Sequence, residues 1–309
     1  MADKNKSNFD FSVENQNGGT HTDEDANQTT HTGEDANQTT RTKTDQPQIP
    51  DDNAPFIVLC GPPASGKSMV LKSLASYLYY NGSGYTIEAN TTLLGTAKYL
   101  DDCRTFNSII SNQDTPMPNT VDYLLADVVD KSGCVAAHFL EAPGEDYFSI
   151  NNSSNEPEVP FKNYLHKVAQ THVGSKRKVI YIILLDLDSI PSLRNNTNLR
   201  KKYEEKMVKL YRTFVLHHPS RVILLYNKVD VPQHGKWANP EGITNLKAVY
   251  ADAVSNYRNL FFKKKFVFWE IEDYTFLPYC TGAYPDGSYT ACGPYYPASL
   301  WKEITKRLW

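Results

Sequence analysis

The sequence predicts a three-layer α/β fold: a mostly parallel sheet with one antiparallel edge hairpin and helices on both faces. Three observations predict it. From Ala54 onward, short apolar runs alternate with stretches of helical spacing. Two of the runs, FIVLC and VIYIILL, are continuously apolar, the pattern of strands buried on both faces. Segments 121–129 and 134–140 flank the turn DKSG and are close enough to pair as a hairpin.

The elements follow in order. Residues 56–60 form the first strand, and 68–80 a helix whose Leu71, Leu74, Ala75 and Leu78 share one face. After the hairpin, 162–171 is helical and 179–185 is a buried strand. Leu199, Tyr203, Met207, Leu210 and Phe214 make one stripe of a long helix that Pro219 ends. Residues 222–226 are a further strand, Ile243, Leu246, Tyr250, Ala253, Tyr257 and Leu260 mark another helix, and 266–271 is the last strand. An amphipathic helix over 298–308 closes the chain, with Pro297 at its start. A sheet of this kind binds ligands at the carboxyl ends of its strands.

Charge divides the chain. Residues 1–53 hold 11 acidic and 4 basic side chains, net −7; with −3 overall, the remainder carries +4. That first segment contains a tandem ten-residue repeat, HTDEDANQTT then HTGEDANQTT, too polar to offset its ordering entropy by burial. It is expected to be a disordered tail, with the folded domain over 54–309. His21 and His31 within it lack fixed partners for a metal.

The five cysteines form no CxxC pair, and a chain of this size has no need of disulfide staples, so a reduced, cytoplasmic compartment is expected. No secretory leader pattern opens the chain, and the longest apolar run, 179–185, is too short to span a bilayer. The near-neutral folded part excludes broad binding to the DNA backbone, and FFKKKF reads as a solvated local run.

One loop carries specific chemistry. Gly61, Pro62, Pro63, Ala64, Ser65, Gly66, Lys67 and Ser68 fit GxxxxGK[ST] and lie between a strand and a helix. Glycines let the backbone curl round a phosphate, inward N–H groups and the helix start supply positive potential, and Lys67 neutralises the outer phosphates. Ser68 would ligate Mg²⁺. Pro62 and Pro63 have no N–H, so the cradle falls to Ala64, Ser65, Gly66, Lys67, Ser68 and Met69, with Gly61 at the turn. The fold is therefore expected to be a P-loop NTPase sheet, with the base still open.

The base is addressed by RVILLYNKVDVP, which sets Asn227, Lys228 and Asp230 directly after an apolar strand. A carboxylate at Asp230 accepts hydrogen bonds from both N1 and the exocyclic N2 of guanine, which adenine does not offer. Asn227 would hold the loop, and the Lys228 stem would lie along the base.

With these motifs the chain resembles the translation-factor-like (TRAFAC) class of P-loop GTPases, the group containing Ras-like proteins, over 55–309. The general form also resembles bacterial GTPase modules of conflict or signalling systems. The resemblance implies GTP/GDP and Mg²⁺ as ligands, and a protein effector reached through switch loops. It implies that Thr120 caps Mg²⁺ and the γ-phosphate, and that EAPGE (141–145), beginning 21 residues later, stands where the family has DxxG. Thr281 and Gly282 look like the last guanine-loop motif. Glu141 replaces the metal-water Asp, Gly144 is the switch pivot, and Glu145 stands where Ras-like proteins position water with Gln. The implied catalytic set is Lys67, Gly144 and Glu145, with Ser68, Thr120 and Glu141 at the metal, and slow hydrolysis is expected. Insertions are expected at 81–119, with a helix through Tyr99, Leu100, Cys103 and Phe106, and at 285–297.

Two other readings stay open. Asp186, after YIILL, would serve an ATP-dependent ATPase or phosphotransferase as its metal carboxylate. Glu141 and Glu145 also suit a nucleotide-bound scaffold that does not turn over.

Overall fold

The computed structural model describes residues 46–92, 96–118, 122–148, 159–170, 176–185, 221–228, 264–266, 269–271, 274–283 and 288–309, with isolated positions 198, 205 and 209. The repeat tail, nearly all of both helices expected within 199–260, and Thr120, Asp186 and Asp230 lie outside these residues.

The fully buried run Phe56–Cys60 forms β1, the centre of a seven-stranded sheet. It lies parallel between β4 (Val135–Glu141) and β5 (Val179–Leu185). Next to β5 comes β6 (Arg221–Tyr226), also parallel. β3 (Leu124–Asp130) runs antiparallel to β4 through the predicted hairpin. Outside it, β2 (Tyr85–Ala89) pairs antiparallel with β3, so the hairpin lies one strand in from the edge. Only the alternation of burial along YTIEA betrays β2, and five residues give a weak period.

Following β2, the expected inserted helix is present as α2 (Ala97–Ile110). It buries Tyr99, Cys103, Phe106 and Ile110, and the Thr96 hydroxyl caps it by accepting from Tyr99 N at 3.2 Å. The sheet carries α1 (Lys67–Tyr80), whose Val70, Leu71, Leu74, Ala75 and Leu78 are buried. α3 (Gly144–Phe148) and α4 (Val159–Val168) follow β4.

One expectation fails at the opposite edge. Where the sequence suggested a single strand over 266–271, β7 (Lys264–Phe266) and β8 (Trp269–Ile271) pair only with each other. The sheet position beside β6 goes to β9 (Tyr274–Pro278). YTFLP is uncharged and half-buried as the edge strand, whereas the stretch before it carries Glu270, Glu272 and Asp273. The short strands β10 (Gly282–Ala283) and β11 (Thr290–Ala291) then pair antiparallel, and α5 (Tyr295–Leu308) closes the chain. It buries Leu300, Trp301, Ile304 and Leu308, with Pro297 inside its first turn, where no helical N–H is required.

Residues 46–54 strap the amino ends of the central strands. The Arg177 guanidinium donates to Pro50 O at 3.1 Å and to Asp52 O, and Tyr164 Oη donates to Pro47 O at 2.9 Å. His138, buried in β4, sets Nδ1 2.6 Å from Asp127 and Nε2 2.9 Å from Asp52. Both ring nitrogens of this buried histidine thus have carboxylate partners.

Candidate functional site

Parallel strands bring their carboxyl ends to one pole. There β1 ends at Cys60, beside Glu141 of β4, which pairs with Leu59. Asn227 follows β6 and Tyr279 follows β9, joined by Tyr279 N to Tyr226 O at 2.7 Å. The Gly61–Ser68 loop, Glu141 and the residues predicted for the base, Asn227–Lys228 and Thr281–Gly282, are thus neighbours because of strand order alone.

The phosphate loop is shaped by two left-handed residues, Ala64 (φ 59°) and Gly66 (φ 88°). A turn from Ser65 N to Pro62 O, 3.2 Å, closes between them. Val70 is the first amide to bond back within α1, to Gly66 O at 2.9 Å, and the helix start before it presents positive potential. Lys67 Nζ donates to Gly61 O and Pro62 O, both at 3.2 Å, which holds the ammonium over the loop. The Met69 sulfur accepts from Met117 N at 3.2 Å, tying the loop's last residue to the segment after α2.

Ser68 Oγ donates to Oε1 of Glu141, uniting two residues predicted for the metal. Glu141 is 3% exposed, and its Oε2 has no hydrogen-bond partner among the described residues. Burial pushes its carboxyl up to about 7, against the opposing pull of Lys67 and of the Ser68 hydroxyl. A hydroxyl and a buried carboxylate are hard oxygen donors, and Mg²⁺ is commonly held by one or two such groups. The orphaned Oε2 beside Ser68 therefore fits that ion.

Asn227 is buried and donates from Nδ2 to Ser65 O at 2.8 Å. Lys228, itself left-handed at φ 61°, donates from Nζ to Ala64 O at 2.8 Å. Both side chains predicted for the base therefore grip the phosphate loop. At their contact, a methyl group on Gly66 would lie 2.6 Å from Asn227 Nδ2. Glycine is required there twice over, by φ and by space.

Gly144 opens α3 with its backbone pressed against Pro62 and Pro63, so closely that a Cβ would overlap both. Gly144, predicted as the switch pivot, therefore touches the Gly61–Ser68 loop. Two residues on, Asp146 Oδ2 accepts from Tyr123 Oη at 2.5 Å, and Tyr123 leads into β3. Glu145 lies on α3, and Arg104, on α2, is largely exposed and pairs with Asp101 at 3.0 Å. Thr281 is buried and Gly282 starts β10, both next to the ends of β6 and β9.

Sequence reasoning missed what surrounds that last motif. Cys280 and Cys292 are joined by a disulfide, contrary to the expectation of unpaired thiols. Strand pairing of β10 with β11 brings them together, a long-range effect that CxxC spacing does not address. Tyr289 Oη also donates to Thr281 O at 2.6 Å. The available signal was one cysteine immediately before Thr281 and another 12 residues on.

The architecture is a mixed, mostly parallel α/β sheet with the Gly61–Ser68 loop between its central strand and α1, consistent with a P-loop NTPase fold. No protein-family profile matches the chain. No curated protein matches it either. Among solved structures it is similar to nucleolar GTP-binding protein 1 from Plasmodium falciparum, at 12% identity and TM-score 0.36 over 84% of this chain and 90% of that one. It is similar to the signal recognition particle receptor SRb-GTP/SRX complex from Chaetomium thermophilum, at 13% and 0.35 over 83% and 99%. A third likeness, to the Saccharomyces cerevisiae Ski7 GTPase-like domain bound to GTP, is 14% and 0.38 over 84% and 51%. At such distances function rests on the site's own residues.

Proposed function

We propose that this protein binds guanine nucleotide with Mg²⁺ and hydrolyses GTP slowly, acting as a cytoplasmic switch on a protein effector. One observation carries the reading: Asn227 and Lys228 hold the carbonyls of Ser65 and Ala64, so the base motif and the phosphate motif form one unit. An accidental NKxD on a solvated turn has no cause to grip a phosphate loop. Asp230, two residues beyond Lys228, is then the group that selects guanine.

In this reading the phosphates compete with Gly61 O and Pro62 O for the Lys67 ammonium, which lies within 3.2 Å of both. Amides at the start of α1 contribute the rest of the cradle. Ser68 and Glu141 would hold the cation, with Thr120 on its switch side, and a bound Mg²⁺ would supply charge neutralisation at the phosphates. Glu141 would give up its proton on taking such a cation. The Ser68–Glu141 hydrogen bond supports Glu141 as the metal carboxylate. Glu145 brings a carboxylate where a neutral amide would orient water, which keeps turnover slow. Gly144, against Pro62–Pro63, would relay the γ-phosphate to α3. Among the described residues no helix is long and apolar enough to cross a membrane.

The test is nucleotide affinity of the full chain and of Asp230→Ala. The reading expects the wild type to prefer GDP over ADP by about 100-fold and the variant to lose that preference, since a buried unmatched polar pair costs about that much. Equal affinity of the wild type for both nucleotides overturns it. Phosphate release in single turnover, above the uncatalysed rate and lost in Lys67→Ala, tests hydrolysis.

A further inference from the structure

The base loop at Thr281–Gly282 is held from one side by a short stretch of the second insertion. Tyr289 Oη donates to Thr281 O at 2.6 Å, and Cys292 N donates to the same carbonyl at 3.3 Å. The Tyr289 ring lies against Gly282, where a Cβ would come within 2.5 Å of Cε2. Gly282 pairs with Ala291 across β10 and β11. Ala291 N in turn donates to Asp114 at 3.1 Å, and the ammonium of Lys72, in α1, stands 5.7 Å from the Tyr289 ring centroid. The bridge from Cys280, the residue before Thr281, to Cys292 closes this stretch covalently.

We propose that Tyr289 and the Cys280–Cys292 bridge are the positioning elements of the base loop, so that the oxidation state of the bridge sets guanine affinity. This inference rests on the guanine-nucleotide reading above. A disulfide in a chain of this size is not required for folding, and intracellular disulfides are commonly redox-sensing. Among the described cysteines, Cys60 and Cys103 are buried and Cys134 lies in the β3–β4 turn, at the other end of those strands. Cys60 adjoins the phosphate loop from within the core; among the described cysteines only Cys280 and Cys292 adjoin the Thr281–Gly282 loop.

The step balances as thiol–disulfide exchange. A thiolate of a small dithiol attacks the sulfur of Cys292, which is partly exposed, and Cys280, fully buried, leaves and takes a proton. The reagent's second thiol then expels Cys292, which is also protonated, and the reagent departs as a cyclic disulfide. Glutathione disulfide drives the reverse.

The experiment measures binding of GDP and of inorganic tripolyphosphate, with Mg²⁺, to the full chain under air and after reduction by dithiothreitol. Tripolyphosphate reports the phosphate loop alone. Reduction is expected to weaken GDP about tenfold through loss of pre-organisation while leaving tripolyphosphate unchanged. Tyr289→Phe is expected to weaken GDP alone, and the double variant Cys280→Ser, Cys292→Ser to bind GDP weakly and without response to reduction. The inference is overturned if alkylation and mass spectrometry find both thiols reactive in the air-oxidised protein. It is equally overturned if GDP affinity is the same in both states, or if both ligands weaken together. Binding of tripolyphosphate without GDP in either state would instead refute the guanine reading itself.

Discussion

Gly66 concentrates the site's constraints in one Cα. Its φ of 88° disfavours any side chain, and its would-be Cβ meets Asn227 Nδ2 at 2.6 Å. Gly66→Ala is expected to lower GDP affinity by at least about 100-fold and to destabilise the chain by about 2 kcal/mol, measured by titration and urea unfolding. Glu141 yields a pH prediction. Its carboxyl is raised from 4.5 to about 7 by burial, so between these values the unfolded chain has lost a proton that the folded chain keeps. Metal-free stability should therefore fall as pH rises from 4.5 to 7, by on the order of 3 kcal/mol at 1.36 kcal/mol per unit. Glu141→Gln should flatten that slope in denaturant titrations at pH 5 and pH 8. In the wild type, Mg²⁺ should bind more weakly below pH 7, where it must displace the proton. The Gly61–Ser68 pattern was visible in spacing because the loop's geometry is local. Tyr289 and the cysteine pair were not, because only the return of β11 to β10 gives them a role.

Strands set the site's geometry, and their legibility varied with burial. β1, β5 and β6 were read within a residue because a strand covered on both faces is an unbroken apolar run. β2 and β9 were missed, since YTIEA and YTFLP are short and mix polar with apolar residues. The strap over 46–54 was missed as well. Its hold comes from side chains distant in sequence, with separations of 127 residues for Arg177–Pro50 and 117 for Tyr164–Pro47. Arg177 is 2% exposed, stacks 5.0 Å from the Phe56 ring centroid and bonds two strap carbonyls. Arg177→Ala is expected to cost about 2–4 kcal/mol by leaving those carbonyls and Asp52 uncompensated beside buried His138. Urea unfolding measures it; a loss under 1 kcal/mol would show that the strap is not part of the cooperative fold.

Across the whole chain, one sheet order joins four motifs that sequence scatters over more than 200 residues. Gly61–Ser68 follows β1, Glu141 ends β4, Asn227–Lys228 follows β6 and Thr281–Gly282 follows β9. Because β4, β1, β5, β6 and β9 are mutually parallel, all four must meet at one pole. Alternation of apolar runs with helical spacing was enough to predict that convergence. It did not predict which loops touch; Asn227 reaching Ser65 is a side-chain contact across 162 positions. The most direct measurement is calorimetric titration of the full-length chain with GDP and with ADP in Mg²⁺ buffer. The account predicts saturable GDP binding with one site per chain and ADP weaker by about two orders of magnitude. Equal binding of the two, or binding of neither, would contradict it.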